Sequence, residues 1–274
     1  MRVGYAVAVD PVMASYRLRV QIPASRLTCQ YVLGATGSPT FFYKSGNYSL
    51  ARSLKTGVVY DVVNDHFAGE DAADYHGMVK AADMLTVSSP TMAEIVRKHT
   101  GRDAVVIDDP YENDERPPEC KGDIVLWFGH AANLKSLYPY RDIPGLRVTS
   151  NTASAMPWSR AHEDGYLKYC AICLLTGNNV GASANRVVKA IRAGRFVVAP
   201  PGIPAWDELR DYCWIGDVRE GVKWALNNRE DACLKVAQGQ RYMRERFNPS
   251  LIGAKWTDVF GSISGAATKS SKVG

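Results

Sequence analysis

Apolar positions along this chain gather into short β-rich runs, and the segments between them carry apolar residues at helical spacing. In the first half the runs are residues 2–9 (RVGYAVAV), 29–35 (CQYVLGA), 39–43 (PTFFY), 57–63 (GVVYDVV), 84–89 (MLTVSS) and 104–108 (AVVID). The stretches MASYRLRVQIPASRL, NYSLARSLK, GEDAADYHGMVKAA and SPTMAEIVRKHTG read as helices. Pro23 interrupts the first, and the last has Pro90 near its start and Gly101 past its end. Strand and helix in alternation predict a parallel sheet covered on both faces.

Residues 109–123 (DPYENDERPPECKGD) break the pattern with prolines and charges and read as an interdomain linker. The scheme then restarts. Strands are expected at 123–129, 146–150, 170–176, 195–201 and, more weakly, 213–217, with helices at 132–138, 159–169, 183–193, 204–211, 217–228 and 230–247. An amphipathic closing segment, PSLIGAKWTDVFGSI, follows from Pro249. The fold class is therefore α/β, with two Rossmann-like, doubly wound parallel-sheet domains. Residues 1–115 form the first, 120–247 the second, and 248–274 a closing helix and flexible tail. Domains of this kind bind ligands at the carboxyl ends of their strands, so a cleft faced by both is the expected site.

Composition alters this picture little. The 274 residues suffice for two cores, and 46% hydrophobic with 22% charged residues is ordinary for a soluble globular chain. The last residues, SGAATKSSKVG, read as a solvated tail. The opening MRVGYAVAVD has one basic residue and an apolar run ended by Asp10, too short for a signal peptide or a membrane span, and a cytoplasmic protein is expected. Six irregularly spaced cysteines do not suggest a disulfide framework. Cys170 and Cys173 have the gap of a zinc or redox pair, but with no second pair they read as buried strand residues, and no metal is expected.

Charge is more informative. Residues 1–110 carry 11 Lys and Arg against 11 Asp and Glu, so the excess, 22 against 17, lies in residues 111–274. This favours a polyanionic ligand in the second half, whether phosphate groups of a small molecule or a nucleic acid backbone; a merely solvated basic surface fits equally.

Several chemistries are excluded by motif. No Gly-x-Gly-x-x-Gly turn follows either first strand, and no P-loop, His-Glu-x-x-His helix or Gly-x-Ser-x-Gly elbow is present. What stands out is GASANRVVKAIRAGRFVVAPPG, residues 181–202, where a polar loop after a buried strand opens a helix near Ser183. Unpaired N–H groups and the positive dipole end make such a helix start a place for an anion. Val187, Val188 and Ile191 fall on one face, and Asn185, Lys189 and Arg192 on the opposite one. Ser183, Asn185 and Arg186 are near enough to the amino end to reach a phosphate or ribose. Arg192 and Arg195, further on, complement the helix dipole or sit in water. An N-capped amphipathic helix with a solvated basic face is the alternative.

The run from GYLKYCAICLLTGNNVGASANRVVKAIRAGRFVVAPPGIPAWDEL through GDVREGVKWALNN resembles the donor-binding half of GT-B glycosyltransferases, in particular the retaining, family-4-like group and its compact, phage-type members. RVGYAVAVDPVMASYRLRVQIPASRL is similar to the opening strand and Arg-bearing helix of some of these enzymes. VVYDVVNDHF is similar to their fourth-strand Tyr-Asp-x-x-x-Asp segment, AADMLTVSSPTMAEIVRK to the strand and helix closing the acceptor domain, and VLWFGHAANLKSL to the first strand and loop of the donor domain. Two departures stand out. The family's two Glu, seven residues apart, correspond to Gly181 and Lys189, and its Arg and Lys in the first donor-domain loop correspond to His130 and Lys135.

The resemblance implies transfer of a sugar from a nucleotide-diphosphate donor, with UDP the leading nucleotide, to a hydroxyl acceptor, without metal or other cofactor. Gly129, His130, Lys135, Asn178, Ser183, Asn185, Arg186 and Lys189 are the candidate donor-binding residues. On the acceptor side, Asp61, Asp65 and His66 end a predicted strand, with His66 or Asp65 placed to take a proton from the acceptor hydroxyl or to orient it. The alternative there is a turn capped by the acidic pair beside a surface histidine. Arg17 and Arg19 either touch phosphate or are solvated. A small sugar, a polysaccharide, a protein side chain and a hydroxylated DNA base all remain acceptors; Trp127, Trp158 and Trp206 leave room for DNA if they lie in loops, and are core residues otherwise. A non-catalytic nucleotide-sugar or nucleic-acid binding module and a nucleotide-sugar epimerase are the competing functions.

Overall fold

The computed structural model describes residues 2–6, 14–26, 30–33, 39–44, 48–54, 57–150 and 159–270; for residues 2–6, 30–33, 160–161 and 264–270 the backbone alone is described. The chain forms two compact units. The first comprises residues 1–110, 181–183 and 247–274, and the second residues 111–180 and 184–246.

The first unit holds a six-stranded sheet of β1 (Arg2–Ala6), β2 (Gln30–Leu33), β3 (Thr40–Tyr43), β4 (Val58–Val62), β5 (Met84–Val87) and β6 (Val105–Val106), in the order β2-β1-β3-β4-β5-β6. All the pairings are parallel. The helix interrupted by Pro23 has three parts: α1 (Ala14–Tyr16), a π-helical stretch (Arg17–Gln21) and α2 (Ile22–Arg26). Then come α3 (Tyr48–Ser53), α4 (Ala72–Ala81) and α5 (Pro90–Thr100). The ends of α5 follow the sequence signals: Ser89 accepts from the Met92 amide, and Gly101 closes the helix at φ 69°.

Strand alternation divides the core of this unit. Phe42, Val58, Tyr60 and Val62 point to the face covered by Tyr75, Met78, Val79, Met92 and Val96 of α4 and α5. Phe41, Tyr43 and Val59 point to the other, where they meet Ile252, Trp256, Val259 and Phe260 of α12 (Pro249–Ser270). The backbone of residues 264–270 continues this helix, although that stretch reads as a solvated tail in sequence.

The second unit holds β7 (Val125–Gly129), β8 (Leu146–Ser150), β9 (Ile172–Leu174), β10 (Phe196–Ala199) and β11 (Trp214–Ile215), paired in parallel in the order β11-β10-β9-β7-β8. Its helices are α6 (Leu134–Leu137), α7 (Arg160–Tyr169), α8 (Asn185–Arg192), α9 (Pro204–Asp207), α10 (Val218–Asn227) and α11 (Arg229–Arg246). From the central pair β7 and β9 the chain winds outward in opposite directions, to β8 on one side and to β10 and β11 on the other. Between β7 and β9 lies the topological switch point, where doubly wound sheets open a crevice at the strands' carboxyl ends.

Residues 111–119 are a docked strap of the second unit and not a free linker. The Arg116 amide donates to the Arg192 carbonyl and the Glu119 amide to the Gly194 carbonyl, each at 2.9 Å. Arg195 donates to the Glu119 carbonyl and Gln240 to that of Arg116. Proline and charge there reflect an extended segment, several of whose backbone groups bond to a helix end and neighbouring side chains.

Candidate active site

The switch point of the second unit is organised around Arg186. Its Nη2 donates to the Thr176 carbonyl just beyond β9 at 3.0 Å, and its Nη1 lies 3.4 Å from the Phe128 carbonyl of β7. The guanidinium thus spans the carboxyl ends of the two strands that diverge there, with its carbon 5.0 Å from the centroid of the Trp206 ring. Burial pushes its pKa down to about 10, an effect the charge of Glu163 opposes, and the group remains a cation at neutral pH. Among the described residues no carboxylate forms an ion pair with it. A partly buried cation with donors to spare at a switch point is a place for an anion.

Two glycines make room for it. A Cβ at Gly129 would stand 2.9 Å from Arg186 Nη1, and one at Gly177 would stand 3.2 Å from Nη2. A polar network fixes the surrounding loops. Trp127 Nε1 donates to Thr176 Oγ1 at 2.8 Å; the Ser136 hydroxyl shares a 2.9 Å hydrogen bond with that oxygen and donates to the Asn133 carbonyl at 2.6 Å. The loop after β7 is thereby tied to the end of β9. His130 opens that loop as the cap of a 3₁₀ turn (Ala131–Asn133), its Nδ1 accepting from the Ala132 amide at 3.2 Å. An accepting Nδ1 puts the proton of the neutral ring on Nε2, so His130 offers an N–H donor outward. Lys135 on α6 and Asn178 in the loop before α8 are exposed.

The other predicted donor residues are placed differently. The helix starts at Asn185, which is half-buried, and its cap position is Ala184, with no side-chain cap. Ser183 is not the cap: its hydroxyl donates to Asp109 Oδ2 at 2.6 Å, and both residues belong to the first unit. Lys189 is not on an open face. It is buried, with Nζ 2.5 Å from Glu163, 3.5 Å from Asp164 and 3.6 Å from Glu112. Burial alone would lower its pKa, but the surrounding carboxylates outweigh that and raise it. The face expected in solvent is covered by the strap: Asn113 donates to the Lys189 carbonyl, and Arg192 lies 3.6 Å over the Tyr111 ring and 2.9 Å from Glu115. Arg195 is likewise buried, beside Glu119.

In the first unit the structure separates Asp61 from Asp65 and His66. Asp61 shares the α12 face of β4 with Val59 and is fully buried. Arg19 grips both its oxygens, Nε to Oδ2 at 2.9 Å and Nη2 to Oδ1 at 2.6 Å, and Thr86 Oγ1 donates to Oδ1 at 2.6 Å. Arg19 also donates to the Ile107 carbonyl, approaches Asp109 at 3.4 Å and stacks 5.1 Å from the Trp256 ring. With its lone pairs engaged in the core, Asp61 is a structural ion-pair member and not a base, and Arg19 is neither solvated nor open to phosphate. Arg17, in the same π-helical stretch, is buried as well. Asp65 is exposed and accepts from the Phe67 amide at 3.3 Å, closing its own turn. His66 packs on Tyr75 at 5.0 Å, with Nδ1 3.6 Å from Asp71. Of the alternative reading, the surface histidine is found, but the turn is closed by Asp65 alone, because Asp61 lies in the core.

Trp127 and Trp206 are buried core residues and not loop platforms; Trp158 lies outside the described residues. The five described cysteines are free thiols, with the sulfurs of Cys170 and Cys173 3.8 Å apart. Among the described residues no group of three His, Cys, Asp or Glu is placed to hold a metal ion, and no helix is long and apolar enough to cross a membrane.

Comparison with solved structures decides the fold. HepE of Anabaena, in a crystal structure described as a complex with UDP and glucose, superposes with a TM-score of 0.71 over 96% of this chain and 100% of its own, at 10% identity. WaaG, described as a glycosyltransferase involved in lipopolysaccharide biosynthesis, matches with a TM-score of 0.63 over 94% and 99% of the two chains, also at 10% identity. The fold is that of the GT-B glycosyltransferases. TarM shares this GT-B fold, with a TM-score of 0.64 over 82% of this chain and 55% of its own at 9% identity. No family model and no curated protein matches the sequence.

Proposed function

We propose that this protein is a glycosyltransferase that moves a sugar from a nucleoside-diphosphate donor, a UDP-sugar, to a hydroxyl acceptor. The observation that carries the reading is Arg186: a guanidinium spanning the carboxyl ends of β7 and β9, free of carboxylate partners among the described residues and flanked by two glycines. Complexes of HepE with UDP and with UDP-glucose support the donor class.

Breaking the anomeric C–O bond builds negative charge on the departing diphosphate, and a cation held in place before the reaction stabilises that charge without reorganisation. In this reading Arg186 supplies the fixed charge, the first amides of α8 add donors, and His130 Nε2–H and Lys135 close on the phosphates from the loop after β7. Asn178 and Asn185 complete the polar lining. The transfer proceeds without a metal ion, with retention at the anomeric carbon, in the cytoplasm. Hydroxylated bases in DNA stand among the acceptors.

The test is turnover of a panel of nucleotide sugars, with UDP-glucose first, with and without hydroxylated DNA and small-sugar acceptors, for the native protein and Arg186→Ala. Loss of the arginine is expected to lower kcat by roughly a hundredfold to a thousandfold, the range for removing one preorganised charge stabiliser. Unchanged turnover in the variant refutes the site. UDP binding without release of sugar in any arm shows a binding module, and free interconversion of the sugar an epimerase.

A further inference from the structure

The apolar run of β9 continues through Leu175 and stops at Thr176, a buried hydroxyl at the switch point. Its Oγ1 accepts from Trp127 Nε1 at 2.8 Å and lies 2.9 Å from Ser136 Oγ, and the Ser136 hydroxyl donates to the Asn133 carbonyl at 2.6 Å. These contacts fix where each proton goes. Ser136 has one hydrogen and the Asn133 carbonyl takes it, so the Thr176 hydroxyl is the donor to Ser136. The hydrogen bonds run in one direction, from the indole on β7 through Thr176 and Ser136 into the loop after β7. The backbone carbonyl of the same threonine accepts from Arg186 Nη2 at 3.0 Å.

We propose that Thr176 is a positioning residue: its hydroxyl, clamped between Trp127 and Ser136, holds the carbonyl that seats Arg186 and so sets the guanidinium in place before the diphosphate arrives. This rests on the reading of Arg186 as the diphosphate-binding side chain. Gly177 comes next, where a Cβ would stand 3.2 Å from Arg186 Nη2. The residue that leaves room for the guanidinium is thus one with no side chain to anchor the peptide they share. Restraint comes from the threonine side, and the clamp draws it from two elements, β7 and α6. A cation held by a fixed acceptor needs no ordering when the ligand binds, whereas one on a drifting carbonyl does, at the expense of affinity.

The test is calorimetric titration of UDP into the native protein, Thr176→Val, Thr176→Ser, Arg186→Ala and the double variant of Thr176→Val with Arg186→Ala, each checked for folding by thermal unfolding. Thr176→Val keeps the shape of the side chain and removes the hydroxyl. It is expected to weaken UDP binding by about tenfold, the size of one charge-assisted hydrogen bond. Thr176→Ser, which keeps the hydroxyl, is expected to bind like the native protein. In the Arg186→Ala background the valine is expected to make no further difference, because its effect runs through the guanidinium; a general loosening of the site weakens binding in both backgrounds. If Thr176→Val fails to fold, Ser136→Ala takes its place, with a severalfold loss expected that likewise vanishes in the Arg186→Ala background. The proposal is overturned by a folded Thr176→Val, or failing that a Ser136→Ala, that binds UDP normally. A Thr176→Ser as weak as the valine, or an equal loss with and without Arg186, overturns it too. Native affinity in Arg186→Ala removes the diphosphate reading itself, and the role of Thr176 with it.

Discussion

Gly129 ends β7 in a position where a single methyl group tests the placement of the Arg186 guanidinium. A Cβ there would stand 2.9 Å from Arg186 Nη1 and 3.2 and 3.3 Å from Trp127 Cη2 and Cζ2, against about 3.5–4.0 Å for a comfortable contact. Trp127 has little freedom to yield, being fully buried with its Nε1 bonded to Thr176 at 2.8 Å. The guanidinium therefore moves, and the 3.4 Å contact with the Phe128 carbonyl is the first to break. Crowding against Trp127 puts the stability cost of Gly129→Ala at about 1–3 kcal/mol. Displacing the cation forfeits a charge-assisted hydrogen bond to the ligand, about 1.5–3 kcal/mol, or roughly tenfold to a hundredfold in Kd for UDP. Denaturant unfolding and calorimetric UDP titration measure the two effects separately. Native affinity together with a native unfolding midpoint would mean that Arg186 does not close over the end of β7, and the donor-site reasoning would fail.

Three further substitutions probe the frame around the site. Gly165→Ala on α7, where a Cβ meets nothing within 4 Å, is expected to raise stability by about 0.5–1 kcal/mol in denaturant unfolding, since alanine costs less backbone entropy in a helix. Gly194→Ala is expected to lower stability by about 2–4 kcal/mol in the same assay, because φ is +79° and the new Cβ would stand 2.2 Å from the Pro117 carbonyl of the strap. Arg19→Met leaves Asp61 buried with Thr86 as its remaining partner among the described residues, an expected loss of about 3–5 kcal/mol in thermal or denaturant unfolding. If its cost is below about 1 kcal/mol, the pair is not the core fixture described above.

The pattern of apolar runs was enough to read two doubly wound sheets. The strands are short and mostly apolar, and several helices are bounded by local signals such as Ser89, Gly101, Ser159 and Asp217 that act over a few residues. The loop-to-helix stretch around Arg186 was legible for the same reason, since a strand leading through small polar residues into a helix is a local arrangement. The faces of those elements were not legible. Alternation places Asp61 beside Val59, but only the return of α12 from the far end of the chain buries that face and turns a candidate base into half of a core ion pair with Arg19.

The same physics separated the cations of α8. Helical period sets Lys189 and Arg192 apart from Val187, Val188 and Ile191, and by composition that face belongs in water. The strap and α7 cover it, so Lys189 and Arg192 are neutralised by carboxylates distant in sequence, while Arg186 reaches the ends of β7 and β9. The sequence by itself determined which segments become strands and helices, because hydrogen bonding and side-chain period act locally. The tertiary structure alone decided which charges are spent and which stay free, because the partners that spend them come from elements brought together only when the sheets are covered.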